Sequence, residues 1–148
     1  MNLASGVLQI STLLGASLVA RLLFDQVNRI LLVSFPERLT RANFDLTDAA
    51  LALFVAQQGS VDTIIDFSHV SEDVDTSVIV ARAYSPWPAQ EKRQVFVVSS
   101  DVMEGVFRMY ALHHEAAGFG TTRVVRSLDG ALAVLGAAAA GFDPVTPG

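Results

Sequence analysis

From Arg21 onward, apolar and polar residues alternate in short blocks, and each block carries the period of one structural element. Arg21-Leu-Leu-Phe-Asp and Arg29-Ile-Leu-Leu-Val-Ser-Phe are two apolar runs separated by Gln26-Val27-Asn28, the pattern of a β-hairpin. Pro36 ends the second run, because proline has no N–H to give to a ladder. Asp45 reads as a helix N-cap, with Asp48 favouring the positive end of the helix dipole. Ala50, Leu51, Leu53, Phe54 and Val55 supply that helix's apolar face, and Gly59 stops it. Val61 to Phe67 is short and apolar enough for a buried strand. After a polar, acidic loop, Asp75-Thr76-Ser77 opens a helix through Val78, Ile79, Val80 and Ala83, broken by Pro86 and Pro88. Gln94 to Val98 is a strand by its β-branched content. Asp101 and Glu104 resemble a capping box for a helix to about Gly118, with Met103, Phe107 and Tyr110 on one side. Thr121 to Val125 is the last strand, and Ser127 caps a final alanine-rich helix.

The order is β-β-α-β-α-β-α-β-α. Alternating βα units predict an α/β domain: a mostly parallel sheet with helices packed on it, the first hairpin adding an antiparallel N-terminal edge strand. The domain is expected over residues 21–140, with residues 141–148 as a loose, flexible tail carrying Pro144 and Pro147. Residues 1–20 form a separate extension without a charged side chain. Polar residues from Asn2 to Ser17 interrupt it, so it lacks the continuous apolar stretch of a membrane span and the basic start of a signal peptide. Leu3, Val7, Ile10, Leu14 and Leu18 recur at helical spacing, which predicts a helix packed on the domain or on a second copy, the latter making a homodimer, with membrane contact or a strand as the lesser alternatives.

Composition narrows the function classes. With 148 residues, 51% hydrophobic and 17% charged, the chain is long and apolar enough to bury a core without staples. It has no cysteine, which excludes disulfides and every thiolate site. A net charge of -5 argues against nucleic acid as a partner. A soluble, cytoplasmic domain is the expectation. Lys92 is the sole lysine and carries no functional reading from composition.

Candidate chemistry collects after the third strand, where open α/β sheets usually place their sites. The stretch holds Ser68, His69, Ser71, Glu72, Asp73, Asp75, Thr76 and Ser77, preceded by Asp62 and Asp66. Its acids are a solvated loop with an N-cap, or, as the sharper alternative, ligands for a hard cation such as Mg²⁺. Thr76 and Ser77 fall in the first turn of a helix, where free N–H groups and the dipole tolerate a phosphate; plain capping explains them too. His113-His114-Glu115 is not a metal pair, since adjacent helical residues point apart. Tyr84 and Trp87, beside two prolines, are either a partner anchor or a cap on the core. No nucleophile elbow and no glycine-rich phosphate loop is present, so no catalytic residue, metal or cofactor is expected.

The run Ile64-Ile-Asp-Phe-Ser-His-Val, followed by Asp75-Thr-Ser-Val-Ile-Val, resembles the signature of STAS domains, the anti-sigma-factor antagonists. The order of elements from Arg21 to Ala140 is similar to that fold. The resemblance implies a non-enzymatic signalling domain that binds a protein partner, such as an anti-sigma kinase. It further implies that the partner reads Ser68, His69, Glu72, Asp73, Asp75, Thr76 and Ser77. The hydroxyl that such kinases phosphorylate falls on Ser77, with Thr76 in place of the preceding serine. Val78 stands where the family has glycine, and the loop before Asp75 is longer and more acidic, which favours a basic partner. Relatives that carry lipids or small ligands give the alternative, with an apolar pocket under the N-terminal helix.

Overall fold

A computed structural model describes residues 20–88, 92–138 and 141–145. The elements are β1 (Arg21–Asp25), β2 (Ile30–Ser34), α1 (Arg41–Gln58), β3 (Asp62–Asp66), α2 (Thr76–Ala83), β4 (Gln94–Val97), α3 (Asp101–Ala116), β5 (Arg123–Val125), α4 (Leu128–Leu135) and β6 (Asp143–Pro144). Among the described residues they form one α/β domain, with four helices on a six-stranded sheet ordered β5-β4-β3-β2-β1-β6. β2 to β5 run parallel, in a register that aligns Leu32, Ile64 and Val95. β1 pairs antiparallel with β2, and β6 antiparallel with β1.

The consecutive order of the parallel strands decides where the helices go. Right-handed crossovers between neighbours in one direction put every connecting helix on the same face. α1, α2 and α3 accordingly share one core, in which Phe44, Leu51, Phe54, Ile79, Met103 and Phe107 meet Leu31, Val33, Ile65 and Phe96 of the sheet. α4 follows the last parallel strand and folds onto the other face, where Ala131, Leu132 and Leu135 cover Ile30, Leu32, Ile64, Val95 and Val97. Strands buried on both faces are apolar at successive positions, which is why β2 to β4 read as continuous runs.

Three expectations change. The first helix starts at Arg41 rather than after Asp45. Thr40 is its N-cap and forms a reciprocal box with Asn43, whose side chain accepts the Thr40 N–H while the Thr40 Oγ accepts the Asn43 N–H. The third helix is capped by Ser100, which accepts the Met103 N–H at 3.2 Å, so Asp101 lies in the first turn and not at the cap. Residues 141–145, expected at the start of a loose tail, lie along β1. Leu23 pairs with Pro144, the Val145 N–H donates to the Leu22 carbonyl at 2.9 Å, and Phe142 and Val145 pack on opposite cores. β1 is therefore not the edge. Pro144 suits the outermost strand, where a missing N–H costs no ladder bond. Asp75, Ser127 and Gly59 take their expected positions as caps.

Residues 1–19 lie outside the described residues, and with them the expected N-terminal helix. Ala20 is buried, and its N–H reaches the Thr47 Oγ of α1 at 3.5 Å. Among the described residues, no helix is long and apolar enough to cross a membrane.

Candidate functional site

All four helices begin at the carboxyl ends of the parallel strands, so Thr40, Asp75, Ser100 and Ser127 cap them at one end of the sheet. The loop from β3 to α2 crosses that end, and its alternation of apolar and polar residues explains its shape. Phe67, Val70 and Val74 turn inward onto the core. Phe67 stacks against Phe107 at 4.1 Å and Phe35 at 5.0 Å between ring centroids. Between these anchors, His69, Glu72, Asp73, Asp75, Thr76 and Ser77 stand exposed. Backbone bonds fix the path: the Ser68 N–H donates to Asp66 Oδ1 at 2.8 Å, and the Ser71 N–H to the Glu37 carbonyl at 2.9 Å. The Ser99 hydroxyl donates to the Ser68 carbonyl at 3.0 Å, tying the loop to the end of β4.

Asp75 and Ser77 form the tightest group. Asp75 Oδ1 accepts the Ser77 hydroxyl at 2.6 Å and the Ser77 N–H at 3.0 Å. The hydroxyl first, and the N–H after it, hold the Asp75 carboxyl below the ordinary aspartate range. Ser77 lines a groove of about 370 Å³ between α1 and α2, shared with Arg41, Phe44, Asp45, Asp48 and Arg82. Asp73 and Asp75 line a second cleft of about 470 Å³ with Glu37, Arg38 and Ser71. Three cations, Arg38, Arg41 and Arg82, therefore line clefts beside a loop that contains neither lysine nor arginine. Arg38 and Arg41 come from the approach to α1, and no spacing within the loop announces them.

Beneath the first groove lies Arg82, only 7% exposed. Its Nη2 pairs with Asp48 at 2.9 Å, its Nη1 donates to the Ser85 carbonyl at 2.6 Å, and its guanidinium lies 4.1 Å over the Trp87 ring. Burial raises the Asp48 carboxyl above the ordinary range against the opposing pull of Arg82. Trp87 is 2% exposed and donates its indole N–H to the Tyr110 hydroxyl at 2.8 Å, so it is a core residue. Burial pushes Tyr110 up to about 12. Tyr84 remains on the surface, hydrogen-bonded to His113 Nδ1 at 2.8 Å.

The structure brings together only part of the expected set. Asp73 and Asp75 share one cleft, and Ser77 stands across the Asp75 cap in the next. Ser68 is drawn instead toward Ser99, and no hydrogen bond or ion pair joins His69, Glu72 or Thr76 to the group among the described residues. The five acids do not gather as cation ligands. Asp62 pairs with Arg93 at 2.8 Å at the opposite end of β3, and Asp66 is committed to Ser68. Among the described residues, no three His, Asp or Glu side chains are placed to hold a metal. His113 and His114 point apart: His114 is buried, donates from Nδ1 to the Ala83 carbonyl at 2.7 Å and stacks on Tyr110. The pocket of the carrier alternative would lie under residues 1–19, outside the described residues.

Comparison of this chain with protein-family models, with curated proteins and with solved structures finds no match.

Proposed function

We propose that the chain is a non-enzymatic regulatory domain of the STAS type, which binds a protein partner through the exposed β3–α2 loop and the start of α2. Phosphorylation of Ser77 is its switch. The observation that carries this reading is the bond between the Ser77 hydroxyl and the N-cap carboxylate of Asp75 at 2.6 Å. A phosphate on Ser77 removes the donor and sets a charge of about −1.5 to −2 against that carboxylate. One modification thus loosens the cap of α2 and reverses a local attraction, at the surface a partner would read. Arg41, in the same groove, offers the phosphate a cation.

Two further observations support the reading. The hairpin, the consecutive parallel strands and the helix opening at Asp75 follow the order that the STAS resemblance implies. Val78, which stands where that pattern has glycine, packs against the core and lines the same groove as Ser77, which leaves the Ser77 hydroxyl on the surface.

The test is the intact mass and peptide map of the protein purified from its own cells under phosphatase inhibition. A phosphate on Ser77 supports the switch. An unmodified Ser77 across growth states removes it and leaves a constitutive binder. Equal partner binding by Ser77→Ala and Ser77→Asp would also defeat the switch.

A further inference from the structure

The opposite end of the sheet carries different chemistry. At the amino ends of β2 to β5, a cavity of about 650 Å³ opens among the hairpin turn, the α1–β3 connection, the segment before β4 and the α3–β5 connection. Its lining includes Arg29, Lys92 and Arg93 against a single carboxylate, Asp62. That excess of cations stands in a chain with 15 acidic and 10 basic residues. Ser60 and Thr121 add hydroxyls. The volume is within the ~300–1,000 Å³ of ordinary ligand pockets, but this lining is polar and suits a charged ligand rather than an apolar one.

We infer that this cavity binds a small phosphate-bearing anion, with Arg29, Lys92 and Arg93 as its cations. Two of the three are already held in place. Arg93 bonds Asp62 through Nη2 at 2.8 Å and Nε at 3.4 Å, and reaches the Leu135 carbonyl at 3.3 Å. Arg29 donates from Nη2 to the Gln58 carbonyl at 2.6 Å and lies 5.2 Å from the Phe24 ring centroid. A guanidinium has five N–H donors, so this single bond leaves most of the Arg29 fork available for a ligand. Lys92 makes no ion pair among the described residues.

The backbone adds a second indication. Arg29 is the one described non-glycine residue with a positive φ, at 56°. The four-residue hairpin turn requires that conformation, which glycine or asparagine adopts more readily. An arginine held there sacrifices some stability and places a cation at the mouth of the cavity. Two guanidinium forks and an ammonium, offset by one carboxylate, match a doubly charged phosphate, which forks bind in bidentate fashion.

The test is an amide NMR titration of the full chain with sodium pyrophosphate at low ionic strength, repeated with sodium chloride at matched ionic strength. Pyrophosphate should produce saturating shifts at Arg29, Ser60, Lys92, Arg93 and Thr121, with a dissociation constant below about 1 mM. Lys92→Ala and Arg29→Asn should each weaken binding about tenfold, since each removes a charge-assisted contact. Lys92→Ala, exposed and outside every strand, keeps the test valid should Arg29→Asn alter the hairpin. The inference is overturned by shifts that chloride reproduces, by shifts equally strong at Arg38, Arg41 and Arg126, or by undiminished binding in Lys92→Ala.

Discussion

Arg82 joins α2 to α1 and to the turn after it, and removing its charge should be costly to the fold. Arg82→Met keeps an unbranched apolar stem over Trp87 but deletes the bonds to Asp48 at 2.9 Å and to the Ser85 carbonyl at 2.6 Å. Hydrogen bonds to charged groups contribute about 1.5–3 kcal/mol each, and breaking a fully buried ion pair costs about 3–5 kcal/mol. The Asp48 side chain is 32% exposed, so water recovers part of its solvation once the guanidinium is gone. The net cost is then about 3 kcal/mol, toward the lower end of the buried-pair range. Unfolding entropy of about 2.1 cal/mol/K per residue converts that cost to a fall in Tm of about 10 °C for a chain of this length.

Calorimetry or urea denaturation of Arg82→Met, Asp48→Asn and the double variant measures this directly. The two changes should fall short of additivity by about 1–2 kcal/mol, because they remove the same pair. Acidification supplies an independent arm. The Asp48 carboxyl is already raised by burial, and Arg82 is what pulls it down. Without Arg82 it rises further, so the ionised carboxylate destabilises the fold at neutral pH and protonation relieves it. The deficit of Arg82→Met should therefore shrink as pH falls through the native Asp48 value toward the unfolded one. A Tm change under about 3 °C, strict additivity, or a deficit that grows on acidification would refute the assigned pairing.

Thr40→Ala removes the N-cap of α1 and should cost about 1 kcal/mol, read as a Tm lower by roughly 3 °C; an unchanged Tm would place the start of the helix elsewhere. His114 is held below the ordinary histidine range by burial. Its neutral form therefore stabilises the fold above the unfolded value, and stability should fall as pH drops below about 6.5, a slope that His114→Phe flattens. Ser77→Ala removes the strongest influence lowering the Asp75 carboxyl, so carbon-detected NMR titration should show that group moving up toward the ordinary aspartate range. A stationary Asp75 would mean that the backbone N–H alone holds it.

How far the fold was legible follows from how local each determinant is. The strands announced themselves because β2, β3 and β4 are buried on both faces, which leaves few positions for polar residues. Asp75, Gly59 and Ser127 were readable as caps because each bonds within a few residues of itself. Thr40 was missed because Asn43 takes the place of the usual Glu or Gln, and because Asp45 and Asp48 look like first-turn acids. Asp48 instead serves a partner 34 residues away. β6 has two residues, one of them proline, and no periodicity can signal so short a strand; its place depends on β1. The same division holds at the site. The Asp75–Ser77 bond spans two residues and is foreseeable, whereas Arg38, Arg41 and the pairing of Arg82 with Asp48 are brought in by segments far apart in sequence.

That division also separates the two proposed sites. Because β2 to β5 run parallel and each leads into a helix, every helix N-terminus and its cap lies at the Ser77 end, while α1 delivers its last carbonyls to the end where Arg29 covers Gln58. β3 spans the distance between them, from Asp62 beside Arg93 to Asp66 beneath Ser68. The four rises from Asp62 to Asp66 cover about 13 Å, well beyond the screening length of about 8 Å at physiological salt. Direct attraction between a phosphate on Ser77 and the cations at the other end is therefore small. Mechanical coupling would require β3 to shift, but Ile64 and Ile65 are fully buried on opposite faces and bonded into the centre of the sheet. The proposed partner surface at one end and the inferred anion site at the other should therefore act separately.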